Sequence, residues 1–452
     1  MAWSNDAVAD ELARALGGTV SDLRRLSGGA SRITSSFDLV AADGVRRPLI
    51  LQQERSDGVI PGSQVRTEEA LLQAARGVGV PVPGVVAAGA GGGLDPGWLV
   101  VERLEGETIP RKLLRDPEWA TARAALTTQC GTALAAIHRI DPDSVPGLPR
   151  RDPLRDPLAY LDGLGEVRPC LEFGARWLEI NRPPSGPRVT VHGDFRLGNF
   201  LVGHDGLRAV LDWELAHAGD PAEDIGWMCA RAWRFGGAGH VGGFGSLSDL
   251  LGSYAAAGGE AIDPGRVRWW EAYAAVKWAV ICALQASAHL RRAQRSVELA
   301  AIGRRVCESE WDLLVLLGLA PDDEQPDATT GEAPAPPVEP FGRPTATELV
   351  EAVREQLEAT LGSTDGRARF DTRVARNVLL MVEREMQLGP KIARSHADRV
   401  AGLGYAGDSG LASAIRAGVF DHDPGDLGRA LAASTRDQLL VANPSYLGDP
   451  AR

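Results

Sequence analysis

Val191-His192-Gly193-Asp194-Phe195-Arg196-Leu197-Gly198-Asn199-Phe200-Leu201-Val202, continued beyond a turn at Asp205-Gly206 by Val210-Leu211-Asp212-Trp213-Glu214, is the stretch that decides the fold. Two apolar runs on either side of an Asp-Gly turn read as a β-hairpin. Such a hairpin carries Asp194, Asn199 and Asp212 near one end. Those residue types suit phosphoryl transfer. The reaction needs a carboxylate to orient and deprotonate the attacking hydroxyl, and oxygen ligands to hold Mg²⁺ against the phosphates. Mg²⁺ is a hard ion that takes one or two protein oxygens and completes its octahedron with water and phosphate. Asp194 fits the base, and Asn199 with Asp212 fits the metal. An acid-rich turn on a surface hairpin is the bland alternative, and the spacing of the three residues weighs against it.

Outward from the hairpin, the chain divides by composition. Residues 1–104 read mostly as strand: a short helix over Asp6–Leu16, then strands near Thr19–Leu26, Arg32–Val40 and Pro48–Gln53, a helix over Val65–Arg76, and strands at Gly84–Ala88 and Gly97–Glu102. From Pro117 the pattern turns helical, over Trp119–Ile140, Leu171–Ile180, Arg266–Arg295 and Ala300–Leu317, with the hairpin as an island. Residues 321–344 hold seven prolines and six acids with almost nothing apolar, the signature of an extended linker. All eleven tryptophans and all five cysteines precede it. Beyond it, Thr345–Leu361, Thr372–Gln387, Lys391–Leu403, Gly410–Ala417 and Asp426–Val441 have helical spacing.

With 44% hydrophobic and 24% charged residues, the 452-residue chain is neither mainly disordered nor fibrous. A net charge of −12 argues against wholesale binding of nucleic acid phosphates. The start carries acids and no long apolar run, unlike a signal peptide, and no apolar stretch is long enough to span a membrane. Five scattered cysteines suggest neither a disulfide framework nor a zinc site, so a cytoplasmic location is expected.

His192-x-Asp194-x4-Asn199 followed by Asp212 resembles the catalytic and metal-binding loops of the aminoglycoside phosphotransferase-like kinases. The resemblance extends along residues 1–320. It implies an α+β, two-lobed protein-kinase-like fold, with a β-rich N-lobe (residues 1–104) and a helical C-lobe (105–320) carrying the catalytic hairpin. It also implies ATP and Mg²⁺ as cofactors. Gly28, Gly29, Ala30 and Ser31 stand where this family covers the nucleotide phosphates. Glu68 (or Glu69) resembles the helix carboxylate that pairs with a basic residue of the third strand, and Glu102 marks the hinge whose backbone contacts adenine. His192, Asp220 and Asp224 fall at bracing positions. One departure stands out. The third strand carries Gln52 where the family usually has Lys, and no lysine precedes Lys112. Glutamine hydrogen-bonds a phosphate but brings no charge. Arg32 or Arg55 takes that role, or ATP binds weakly, or the domain is a nucleotide-binding pseudokinase or scaffold.

Arg196, two residues after the presumed base, repels a polyamine and favours an anionic substrate. His-Gly-Asp-Phe-Arg-Leu-x-Asn resembles the branch associated with acyl-CoA dehydrogenases, which implies a hydroxyacyl-CoA substrate, notably a 4-hydroxyacyl-CoA thioester. A kinase for an aminoglycoside, sugar or amino alcohol is the alternative. Arg291, Arg292, Arg295, Arg304 and Arg305 are candidate contacts for CoA phosphates, although such runs more often form a solvated helix face. Residues 345–452 resemble a helical accessory domain of uncharacterised type that accompanies this branch. It is expected to pack on the kinase domain or to mediate oligomerisation.

Overall fold

The computed structural model describes residues 5–26, 32–54, 65–89, 94, 97–184, 186–321 and 344–448. It divides into two compact units. One is built from stretches within Met1–Asp152 and Pro183–Glu271, the other from Pro153–Arg182 and Ala272–Pro450.

The first unit opens with α1 (Asn5–Leu16), β1 (Thr19–Arg25), β2 (Arg32–Val40), β3 (Arg46–Glu54), α2 (Val65–Gly77), β4 (Val85–Gly89) and β5 (Trp98–Glu102). The strands form one antiparallel sheet in the order β1-β2-β3-β5-β4. Strand alternation sorts its two faces. Phe37, Leu49 and Leu51 point to one face and pack on Val8 and Leu12 of α1. Arg32, Thr34, Gln52 and Glu54, paired as Arg32↔Glu54 and Thr34↔Gln52, share the other face. Glu54 accepts a hydrogen bond from the Val65 backbone at 2.7 Å, which satisfies one orphan N–H of α2 and ties that helix to β3.

The chain continues through α3 (Pro110–Arg115), α4 (Ala120–Ile137), α5 (Arg155–Leu164) and α6 (Pro169–Ile180). The island then supplies four short strands rather than one hairpin: β6 (Val189–Val191), β7 (Phe200–Gly203), β8 (Gly206–Val210) and β9 (His217–Gly219). β7 pairs with β8 through the Asp205-Gly206 turn, and β6 pairs with β9. Then come α7 (Pro221–Cys229), α8 (Leu247–Ala256) and α9 (Pro264–Leu290). Asp220 caps α7, accepting from the Ala222 backbone at 2.9 Å.

The second unit holds α5 and α6, α10 (Val297–Ile302), α11 (Val306–Leu316), α12 (Ala346–Thr360), α13 (Gly366–Gly402), α14 (Asp408–Arg416) and α15 (Gly425–Ala442). Its helices beyond residue 344 share cores with earlier ones. Cys170 and Phe173 of α6 and Leu314 of α11 pack with Val400, Leu411, Ile415, Leu427 and Leu431. Cys307 and Trp311 of α11 pack with Leu439, Tyr446 and Leu447. The sequence pattern predicts two helices over Thr372–Gln387 and Lys391–Leu403, whereas α13 runs through Pro390 unbroken. A proline ring normally clashes with the Cβ of the residue before it. Gly389 has none. Among the described residues no helix is long and apolar enough to cross a membrane.

Candidate active site

Asp194 follows β6, Asn199 directly precedes β7, and Asp212 lies just past β8. The Leu211 backbone donates to the Asn199 carbonyl at 2.8 Å, so the β7–β8 ladder continues one step to join the Asn199 and Asp212 segments. Gly193 and Gly198 both take positive φ, and a Cβ at Gly193 would meet the Leu215 carbonyl oxygen at 2.4 Å. The loop bearing Asp194 therefore lies hard against the segment that follows Asp212. Asp212 itself is held at φ +63°, a conformation unusual for a non-glycine residue.

Three donors converge on the Asp194 carboxylate. Arg196 Nε and Trp227 Nε1 both donate to Oδ1, each at 2.8 Å. Asn199 Nδ2 donates to Oδ2 at 2.6 Å and to the Asp194 backbone carbonyl at 3.0 Å. An ionised carboxylate has about four acceptor positions. Among the described residues Oδ1 takes two donors and Oδ2 one, which leaves an acceptor position on Oδ2. The Arg196 guanidinium also donates from Nη1 to the Leu197 carbonyl at 3.1 Å and lies 4.3 Å from the Trp233 ring centroid, stacked on an aromatic face. Asn199 is fixed in turn: with its amide hydrogens directed at Asp194, its carbonyl oxygen is the atom presented elsewhere.

A second layer holds the loop. Buried His192 accepts from the Asp194 backbone at Nδ1 (3.2 Å) and donates from Nε2 to the Leu211 carbonyl (3.1 Å), bridging the Asp194 segment to the segment that leads into Asp212. Burial lowers its pKa and keeps the imidazole neutral, consistent with that tautomer. Asp224 on α7 accepts from the backbone N–H groups of His192 and Gly193, both at 2.8 Å, and from His138 Nε2 at 3.3 Å, while Tyr254 sits on the other His138 nitrogen at 2.9 Å. Burial works against the Asp224 charge, yet the His138 hydrogen bond and charge, with His192, hold its pKa below the ordinary carboxylate value.

On the sheet side, Arg32 of β2 forms an ion pair with Glu68 of α2, and the two are only 8% and 1% exposed. Burial opposes the Arg32 charge, but Glu68, with Glu214 and Asp212 behind it, more than compensates and raises its pKa. Asp212 shows the converse. Burial, then the charges of Glu214, Asp194 and Glu68, push its pKa well up, and Arg32 offsets only part of that. Excess negative charge at Asp212 is the electrostatic signature of a place that wants a cation. The donor set fits Mg²⁺, since the Asn199 amide oxygen and the Asp212 carboxylate are hard oxygen ligands of the number that ion takes from protein.

The other predicted positions are placed as follows. Gln52 lies on β3, opposite Thr34 and Leu99, on the same face as Arg32 and one diagonal step from it. Glu102 ends β5 and accepts from the Gly84 backbone at 3.1 Å. Gly28, Gly29, Ala30 and Ser31 fall outside the described residues, as does Arg55. Of the arginines considered for CoA phosphates, Arg304 pairs with Glu385 and Arg305 with Glu308, both at 2.8 Å. Sequence reasoning missed Trp227 and Trp233. The signal for Trp227 was available: it stands three residues after Asp224, on the same face of a helix whose start is marked by Asp220-Pro221.

A kinase-like sheet with its helix carboxylate, followed by a loop that pins an aspartate beside an asparagine, defines a phosphotransferase. Residues 22–270 match the model of the phosphotransferase enzyme family, more than half of the chain, and the chain belongs to that family. Residues 362–446 match a second model, a domain of unknown function, DUF6285. Among curated proteins the chain is similar to acyl-CoA dehydrogenase family member 10 of Mus musculus, 27% identical over 204 residues, covering 40% of this chain and 18% of that protein. It therefore spans less than a fifth of that relative's length. Among solved structures, a putative aminoglycoside phosphotransferase from Ralstonia eutropha superposes with a TM-score of 0.55 at 17% identity, covering 70% of this chain and 99% of that one. An amicoumacin kinase in complex with AMP-PNP, Ca²⁺ and Ami superposes at 0.50 with 15% identity, covering 68% and 93%. These likenesses establish the kinase-like fold.

Proposed function

We propose that the chain transfers the γ-phosphoryl group of ATP to a hydroxyl of a hydroxyacyl-CoA thioester, with Asp194 as base and Asn199 and Asp212 as ligands of Mg²⁺. The observation that carries the reading is the state of Asp194, pinned by Arg196, Trp227 and Asn199 with one acceptor position left on Oδ2. Oδ2 is thus the atom that takes the hydroxyl proton, and the three donors fix its direction. Bound Mg²⁺ supplies charge neutralisation at the phosphates. Arg32 fills the gap left by Gln52: it shares that face of the sheet, its charge is sustained by Glu68, and it stands in the field of Asp212. This arrangement favours an active kinase over a pseudokinase.

The acyl-CoA substrate is supported by the likeness to acyl-CoA dehydrogenase family member 10 and by Arg196. A guanidinium has five N–H groups. Two are used by Asp194 and Leu197, and the rest suit an anionic or strongly polar group beside the reacting hydroxyl. The test incubates the full chain with Mg-ATP and a panel of 3-, 4- and 5-hydroxyacyl-CoA esters, with kanamycin and choline alongside. Mass spectrometry would show one acyl-CoA heavier by a phosphoryl group, absent with Asp194→Ala. Loss of a general base costs about 10²–10⁴-fold in turnover. Phosphorylated kanamycin or choline in place of a phosphorylated CoA ester would refute the substrate class, and full activity of Asp194→Ala would refute the assigned base.

A further inference from the structure

A second chemical constellation lies in the helical unit, within the residues that match the domain of unknown function. His396 of α13 is hydrogen-bonded on both ring nitrogens: Nε2 to Asp408 Oδ1 at 2.9 Å and Nδ1 to Ser434 Oγ at 3.0 Å. The carboxylate can only accept, so Nε2 carries a proton; in the neutral ring Nδ1 is then the acceptor and the Ser434 hydroxyl its donor. The roles run serine to histidine to carboxylate, as in a nucleophile, its base and the group that orients the base. Arg399, one turn beyond His396, donates from Nε to the same Ser434 Oγ at 3.0 Å and is held by Asp437 at 2.6 Å.

Ser434 sits in the interior of α15, where a hydroxyl ordinarily bonds back to the carbonyl one turn earlier. Thr132, Ser253, Thr372 and Ser413 all do so in this protein, at 2.8–3.0 Å. Ser434 Oγ is bonded to His396 and Arg399 instead. All three groups also line a cavity of about 280 Å³, together with Cys170, Leu411, Leu431, Arg168, Glu310 and Gln438. A hydroxyl hydrogen-bonded to an imidazole, on the wall of a cavity large enough for a small molecule, has the geometry of a nucleophile beside its base.

We infer that Ser434, His396 and Asp408 form a nucleophilic site for short acyl esters or thioesters. Ser434 Oγ attacks the acyl carbonyl carbon as its proton passes to His396 Nδ1, and Asp408 holds the imidazolium. The bond from carbonyl carbon to the leaving oxygen or sulfur breaks, and the Nδ1 proton goes to that atom, releasing an alcohol or thiol. Water then adds to the acyl-serine through the same imidazole, releasing the carboxylic acid and restoring the hydroxyl. Arg399 stabilises the serine oxygen as it loses its proton. Gln438, one turn from Ser434 and on the cavity wall, would supply the amide donor to the carbonyl oxygen. The cavity accommodates a short acyl chain but not a whole CoA, so the leaving group lies outside. None of this depends on the phosphotransferase site.

The experiment treats the wild-type full chain with a fluorophosphonate probe, followed by intact mass and peptide mapping. A single adduct on Ser434 is expected, with labelling slowed at least 100-fold by His396→Gln and by Asp408→Asn in proteins whose circular dichroism is unchanged. Hydrolysis of p-nitrophenyl butyrate should fall in parallel. No adduct on the folded wild-type protein would overturn the inference. So would an adduct whose rate is indifferent to His396, which would make the network a structural tie between helices.

Discussion

Arg32 and Glu68 offer a test that separates holding the fold from holding phosphate. Both side chains are almost fully buried and paired with each other. Removing one partner strands the other charge, at a cost of about 3–5 kcal/mol, whereas replacing both with apolar residues of similar volume is commonly neutral. Arg32→Met and Glu68→Leu alone should therefore each lower the thermal midpoint markedly, and the double variant should recover most of the loss. Nucleotide affinity should behave differently. If Arg32 supplies the cation missing at Gln52, it makes a charge-assisted hydrogen bond to phosphate that contributes about 1.5–3 kcal/mol, or about 10- to 150-fold in Kd. Stability returns in the double variant, but affinity does not. Isothermal titration with Mg-ATP on the wild-type, single and double variants reads this directly. A double variant that is stable and binds Mg-ATP with wild-type affinity would refute the assignment, leaving Arg32 a structural partner of Glu68 and Gln52 uncompensated.

Two further outcomes follow from the site. Trp227→Phe removes one of the two donors on Asp194 Oδ1 while keeping an aromatic ring; kcat should fall by about 10- to 150-fold with the KM for ATP nearly unchanged, and an equal loss in both would place Trp227 in nucleotide binding instead. His192 is buried with its pKa depressed, so below its unfolded value of about 6.5 the unfolded chain binds a proton that the folded chain refuses. Stability contributed by neutral His192 is complete above that pH and declines as pH falls toward the folded pKa; His192→Gln should flatten the thermal-midpoint profile over that window relative to wild type, and a profile of unchanged slope would contradict the buried neutral imidazole.

The first strands of the sheet were legible from the turn residues between them, Gly28-Gly29 and Asp43-Gly44, and α1 and α2 because their apolar positions recur with helical spacing. α7 was not read as a helix for a physical reason. All nine of its residues are buried, the acids Glu223 and Asp224 included, so no solvent-exposed polar face marks its turns. Its start was nevertheless written in Asp220-Pro221, a cap followed by proline at the first helical position. Pro390 misled in the opposite sense, dividing a helix that Gly389 allows to continue. Asp194, Asn199 and Asp212 could be picked out because they lie close in sequence around one turn. The ion pair of Arg32 with Glu68 joins residues 36 positions apart and the bond from Trp227 to Asp194 spans 33, distances at which no local pattern speaks.

The same contrast of local and distant contacts bears on the helices after residue 344. Composition alone makes residues 321–344 a divider, yet the apolar faces on either side of it meet. Leu314 before the divider and Val400, Leu411 and Leu427 after it belong to one core. Arg416 of α14 reaches back to Glu172 and Asp162, 244 and 254 positions earlier, with contacts of 2.5–2.6 Å. Tyr446 donates to Asp312, a buried carboxylate, at 2.8 Å. A chain ending before residue 344 would expose the apolar faces of α6 and α11 and leave Glu172 and Asp312 without these partners. Those helices are therefore a structural part of the unit that also holds α5 and α6, which lie within the phosphotransferase family match, and the Ser434 constellation lies in a packed body rather than on a tethered appendage.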